Sequence, residues 1–138
     1  MNKYIELRDK QSKRFNDLPI AFAFSNEQFA EAKKRLNVTD DSELCSIAGG
    51  GMMKKTEVHL LHKCTKLNFD EDTEAFKDDE FLQQMFMYEL SNHEYCITGD
   101  VEDTLSACGM DVQQVEDDER LKTIFIDARD HYMATVQY

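Results

Sequence analysis

The sequence predicts a mainly helical α+β fold, a single domain over residues 1–138 carrying one small β-hairpin. Three observations predict it. Apolar residues recur at helical spacing through most of the chain. Only "LCSIAGGGMMK" (44–54) sets two short apolar runs on either side of consecutive glycines, which suits a hairpin around Gly49–Gly51. A length of 138 residues is enough for a buried core and fits the usual length of one domain.

The elements follow in chain order. "KYIELRDKQSKRF" (3–15) places Tyr4, Ile5, Leu7 and Phe15 among charges, as a surface helix does, and must stop before Pro19. "PIAFAF" (19–24) is a short buried segment, strand or loop. Ser25 is positioned as an N-cap with Gln28 completing a capping box, and the helix runs to about Leu36 with Lys33, Lys34 and Arg35 in its last turn. After the hairpin, Thr56 is placed to cap a helix carrying Val58, Leu60, Leu61, Cys64 and Leu67. "NFDEDTEAFKDDE" then either continues that helix or loops out. "DEFLQQMFMYELSNH" (79–93) is the clearest amphipathic helix, with Phe81, Leu82, Met85, Phe86, Met87, Tyr88 and Leu90 forming a broad apolar face and Asn92 near its end. "EYCIT" reads as a short strand. Asp100 caps a short helix "VEDTLSAC", Asp103 takes the capping-box position, and Gly109 closes it. Asp111 caps a further turn, and a last helix spans roughly 117–135.

Charge is the strongest signal. Apolar residues make up 41% and charged residues 32%, and the recurrence of Phe, Tyr, Leu, Ile and Met separates the chain from disordered polyelectrolytes. The net charge is −12, unevenly spread: 12 Lys and Arg face 9 Asp and Glu through Lys66, whereas 4 face 19 from Leu67 onward. Such a half-chain repels nucleic-acid and membrane phosphates and attracts basic proteins. The charged start "MNKYIELRDKQ" lacks the apolar stretch of a signal peptide, and "PIAFAF" is too short to span a bilayer, so an intracellular protein is expected. Cys45, Cys64, Cys96 and Cys108 form no Cys-x-x-Cys and are expected to be reduced and mostly buried.

Sites of known chemistry are each incomplete. His59 and His62 share a helix face with Cys64 nearby, and His93 with Cys96 makes a second pair, but no zinc-finger or zincin spacing occurs. Asp70, Asp72 and Glu74 echo the first ligands of a calcium-binding loop, yet Ala75 stands where glycine is needed and Phe81 where a bidentate Glu is needed. "AGGGMMKKT" separates its glycines from its lysines by two methionines, unlike a phosphate-binding loop. No local signature supports a Cys–His nucleophile. What remains are carboxylate clusters: Asp70, Glu71, Asp72 and Glu74, and then the nine candidate contacts Asp78, Asp79, Glu80, Glu102, Asp103, Glu116, Asp117, Asp118 and Glu119. These are either a solvated surface or an imitation of a phosphate backbone. DNA carries one charge per about 1.7 Å of duplex axis, a density that carboxylates on a helix rising about 1.5 Å per residue can approach.

At "FAFSNEQFAEAKKRL", "GGG", "FMYELSNHEYCITGDVEDTLSACGM" and "DERLKTIFIDAR", the chain resembles a family of small uncharacterised acidic proteins of phages and mobile elements of gut bacteria. The resemblance covers most of the chain and is clearest at Asn92, His93, Tyr95, Gly99, Asp100, Asp103 and Gly109. It implies a fixed turn-and-cap structure and brings no catalytic motif. In size and charge the chain is also similar to acidic anti-CRISPR inhibitors of type II nucleases. The expected function is therefore non-enzymatic inhibition in the bacterial cytoplasm. The partner would be a basic nucleic-acid-binding protein such as an RNA-guided nuclease, held through the nine carboxylates named above, with no cofactor, no membrane and no direct DNA binding. The alternative is a metal-binding or small hydrolytic enzyme using His59, His62, His93 and Cys96.

Overall fold

Local capping decides where most elements begin. The structure, a computed structural model, describes residues 2–136. Its elements are α1 (Lys3–Asn16), β1 (Ala21–Phe22), α2 (Asn26–Arg35), β2 (Leu44–Ile47), β3 (Gly51–Lys54), α3 (Val58–Ala75), α4 (Asp79–Asn92), α5 (Tyr95–Thr98), α6 (Glu102–Ala107), α7 (Val112–Asp117) and α8 (Glu119–Thr135). The fold is mainly helical α+β, with one small antiparallel sheet, as expected. The domain expected over 1–138 contains two compact units: Asp9–Glu71, and Met1–Arg8 with Asp72–Tyr138. Helices α1 and α3 contribute residues to both. Among the described residues no helix is long and apolar enough to cross a membrane.

In the Asp9–Glu71 unit the sheet has the order β1-β3-β2, with Ala21 opposite Met52 and Cys45 opposite Met53. The expected hairpin is the β2–β3 pair. Its turn holds Gly49 and Gly50 at φ of +77° and +79°, a region that residues with a Cβ rarely adopt. Ala21 packs with Ala32, Leu36 and Val38 into a small core, against which Leu44 and Met52 also rest. The segment "PIAFAF" is buried only in part: Phe22 is 46% and Phe24 77% exposed. A two-residue strand sends successive side chains to opposite faces, so Ala21 goes inward and Phe22 outward. Ser25 caps α2 as expected, accepting from the Gln28 amide. Gln28 Oε1, however, accepts from the Phe24 amide at 2.7 Å, one residue earlier than a capping box would have it. Thr56 does not cap α3; a single 3₁₀ turn, Lys55–Glu57, runs straight into it.

The acidic stretch after Asn68 continues α3 to Ala75. Within this unit, Glu71 receives a bidentate pair from Arg14 at 2.6 and 3.0 Å, and Lys10 lies at 2.9 Å. Arg14 also donates to Asn68. These bonds offset the repulsion that Asp70 and Glu71 would otherwise bring to a helix.

In the second unit, α4 is central. Phe81, Leu82, Met85, Phe86 and Leu90 are buried against α8 and α6, where Leu105, Phe125, Ala128 and Tyr132 complete the core. Phe86 and Phe125 meet edge to face, with centroids 5.2 Å apart. Asp78 caps α4 through the Glu80 amide, at 3.0 Å. "EYCIT" is not a strand but the one-turn helix α5, entered through Glu94 at φ +54° and left through Gly99. All three strands of the described residues lie in Asp9–Glu71, whereas the amides of α5 are satisfied locally, Ile97 and Thr98 donating to the Glu94 carbonyl. The N-cap position of α6 is Val101, without a side-chain cap, rather than Asp100; Asp100 sits one residue further out and accepts from the Glu102 amide at 2.8 Å, and Asp103 makes no reciprocal capping bond. Gly109, at φ +73°, ends α6 in a Schellman arrangement: the Gly109 amide donates to Ser106 and the Met110 amide to Leu105. The turn expected after Asp111 is α7, which Asp111 caps, and the expected last helix is α8, starting at Glu119. Asp118 adopts an extended conformation, closes α7 and caps α8 through the Leu121 amide at 3.1 Å.

Arg14, hydrogen-bonded to Glu71, holds that carboxyl at about 2, below its ordinary 4.5. A depressed folded value stabilises the protein above the unfolded pKa, and this contribution is lost as pH falls from about 4.5 to about 2. Thermal melts across that window should show Glu71→Gln with a lower Tm than the parent at pH 6 and a much shallower further loss on acidification.

Candidate functional site

The division into units sharpens the charge asymmetry. Asp9–Glu71 holds ten acidic and ten basic residues and is neutral; the other unit holds 18 acidic and six basic residues, so the whole net charge of −12 belongs to it. Capping and solvation place these carboxylates. Acidic side chains favour helix N-termini, where free amides and the helix dipole meet them, and this unit has five helices starting within about 40 residues.

The nine carboxylates singled out in the sequence fall into two groups. Four are engaged by the protein's own cations. Lys3 Nζ lies 2.7 Å from Asp78 and 2.9 Å from Glu80; Arg120 Nη2 lies 2.6 Å from Asp79; Lys122 lies 3.1 Å from Glu116. Lys3 lowers the Asp78 carboxyl below the usual aspartate range through that hydrogen bond. The other five carry no intramolecular cation. Asp117 accepts from Gln113 at 2.8 Å and Asp118 caps α8. Glu102, Asp103 and Glu119 are exposed, with side chains that have no hydrogen-bond or ion-pair partner among the described residues. An open groove of about 460 Å³ lies beside Glu102, between α6 and α7; Met110 and Val112 supply its apolar lining and Asp111 a second carboxylate.

Beneath this surface lies a cluster that the sequence did not reveal. Glu89, on the core side of α4, is only 2% exposed. Its Oε1 accepts from Tyr4 Oη at 2.8 Å and from Arg8 Nη1 at 3.1 Å, and the Arg8 guanidinium lies over the rings of both Tyr4 and Tyr88. His93 Nε2 sits 3.2 Å from Oε2, buried and without a well-formed hydrogen bond. Thr104 Oγ1 donates to the Glu89 carbonyl at 3.4 Å. Burial first, and the Glu89 charge second, push the Tyr4 hydroxyl above its ordinary range and the Cys108 thiol up to about 12. Cys108 is thus protonated and a poor nucleophile at neutral pH. The available sequence signal was a glutamate at helical spacing from Leu82, Met85 and Phe86, on the stripe that is otherwise apolar.

The residues of the alternative reading are dispersed. His59 Nδ1 meets the Thr56 carbonyl at 3.1 Å, His62 is exposed, and His93 is taken up by Glu89. All four cysteines are free; Cys64 and Cys108 are buried and Cys45 and Cys96 half-buried. Asp70, Asp72 and Glu74 lie on the continuous helix α3 rather than in a loop, and the three glycines belong to the hairpin. Among the described residues no group of three or more His, Cys, Asp or Glu is arranged to hold a metal ion.

A family of unknown function, DUF7659, matches residues 3–131. The chain belongs to DUF7659. The match takes in both units of this DUF7659 protein, including all nine carboxylates and the Glu89 cluster. No curated protein and no solved structure matches the chain.

Removing a buried charge while leaving its partners behind is costly, typically about 3–5 kcal/mol. Urea unfolding of Glu89→Ala should show a loss of that order, because Tyr4, Arg8 and His93 would face an empty site. Asp103→Ala, by contrast, should leave the midpoint within about 0.5 kcal/mol of the parent, as expected for an exposed residue without partners.

Proposed function

We propose that this DUF7659 protein is a non-enzymatic inhibitor acting in the bacterial cytoplasm, where its acidic unit occupies the nucleic-acid site of a basic protein. In its most specific form it is an anti-CRISPR protein of a phage or mobile element. It would be seated where a type II RNA-guided nuclease reads the short duplex motif beside its target. Arginines that read guanines there would form bidentate pairs with carboxylates. Occupancy alone blocks DNA recognition or cleavage.

The observation that carries this reading is the confinement of the entire net charge to one unit, with Glu102, Asp103 and Glu119 left unneutralised. A folded unit of this charge is opposed by its own repulsion, which a cationic partner would relieve. The four paired carboxylates remain usable. Asp78, Asp79, Glu80 and Glu116 are in exposed ion pairs with side chains 42–70% accessible, and such pairs contribute about 0–1 kcal/mol each. Coupling energies of about 1.5–7 kcal/mol have been found for close charge pairs across an interface, more than such an exposed pair contributes.

The reading predicts that inhibition of DNA cleavage by a guide-loaded type II nuclease weakens steeply between about 0.1 M and about 0.5 M salt. Glu102→Lys, Asp103→Lys and Glu119→Lys together should raise the inhibitory concentration by roughly tenfold or more, with circular dichroism and Tm nearly unchanged. Asp118 is best left in place in such a variant, since it caps α8. Full inhibition by the triple variant at high salt would sink the proposal.

A further inference from the structure

We propose that the groove between α6 and α7 is a subsite for one arginine side chain of a basic partner. This inference rests on the reading above and adds to it where, and by which residue type, the partner is anchored. The groove is lined by Glu102, Ser106, Met110, Asp111, Val112 and Gln113. Its chemistry is that of a side chain with an apolar stem and a planar cationic head. Met110 and Val112 offer apolar contact in the groove, and Val112 is 39% exposed. The Glu102 carboxylate, also in the lining, has no partner among the described residues. Asp111 uses Oδ1 to accept the Gln114 amide at 2.7 Å, which leaves Oδ2 outside any bond of the capping box. Ser106 and Gln113 also line the groove, with the Gln113 amide donating to Asp117 at 2.8 Å.

The walls are set before any partner arrives. Gly109 turns the chain through the Schellman arrangement at the end of α6. The reciprocal bonds between Asp111 and Gln114, 2.7 and 2.9 Å, fix the start of α7. Asp100 holds the Glu102 amide. A pre-formed groove that offers apolar contact beside carboxylates is a suitable setting for an interface anchor. Arginine fits better than lysine. Its guanidinium is weakly hydrated, lies flat on apolar and thioether groups, and donates along two edges to separate carboxylates. The lysine ammonium is compact and strongly hydrated, and gains less from apolar contact. Two carboxylates in the lining disfavour an anionic small molecule, so charge complementarity selects a cationic segment.

The test is an NMR titration of the ¹⁵N-labelled full chain with two probes, a nona-arginine and a nona-lysine peptide. The expected result is shifts centred on Ser106, Met110, Val112 and Gln113, roughly tenfold tighter binding of the arginine peptide, and loss of that preference in Ser106→Trp. Val112→Lys, at an exposed position, puts a cation into the groove and should act in the same way, so the outcome does not depend on one variant folding. Asp117→Asn with Glu119→Gln, outside the groove, should preserve the preference. Equal binding of both peptides with shifts spread over the acidic unit, unaffected by Ser106→Trp and Val112→Lys, would overturn the subsite and leave the acidic-surface reading standing. No binding of either peptide at low salt would overturn both.

Discussion

A carboxylate buried to 2% exposure organises the acidic unit. Glu89 sits on the core side of α4 between Met85, Phe86 and Leu90, where an unpaired charge would cost several kcal/mol. The cost is offset only if Tyr4 and Arg8, more than 80 residues away in the chain, are brought to it. Tyr4 and Arg8 are four residues apart on α1 and therefore share one helix face. That face must dock on α4 in one register, because a slip of one residue would turn both donors away. Thr104 ties α6 to the same point. The polar cluster therefore specifies arrangement more than it adds stability. Apolar residues alone would have permitted several ways of packing α1 on α4.

The rigidity so obtained bears on the surface. Aspartates stand at the starts of the helices of the acidic unit: Asp78, Asp111 and Asp118 cap α4, α7 and α8, and Asp100 accepts the first amide of α6 from one residue before its N-cap. The residues that create the negative potential are in part the residues that build the turns. Capping aspartates cannot turn away from the surface, and so their charge is presented at fixed places. Glu102, Asp103 and Glu119 lie in the first turns of α6 and α8, where the helix dipole favours them without neutralising them. Lys3, Arg120 and Lys122 hold Asp78, Glu80, Asp79 and Glu116 in exposed pairs that a competing cation can displace.

Local signals were the most legible in the sequence. The hairpin at Gly49–Gly50, the Ser25 cap, the Gly109 stop and the amphipathic stripe of α4 depend on neighbours within a few residues, so residue type and spacing sufficed. "EYCIT" misled for the opposite reason. Its β-branched and aromatic composition suits a strand, but the positive φ of Glu94 and Gly99 brackets it and winds it into one turn. Phe22 and Phe24 were expected inside because they are apolar; a two-residue strand has too few positions to bury both.

What the sequence by itself determined was composition, charge and local conformation: a mainly helical chain with one hairpin, four cysteines without a disulfide pattern, and carboxylates crowded after Leu67. Only the tertiary structure decided which charges are neutralised, since Lys3 reaches Asp78 and Arg120 reaches Asp79 across 75 and 41 residues. It also decided that the neutral unit runs from Asp9 to Glu71, and that Glu89 is core rather than surface. The physical reason is range. Caps and turns are satisfied by adjacent backbone, whereas a side-chain charge is paired or left bare by whatever the fold brings beside it.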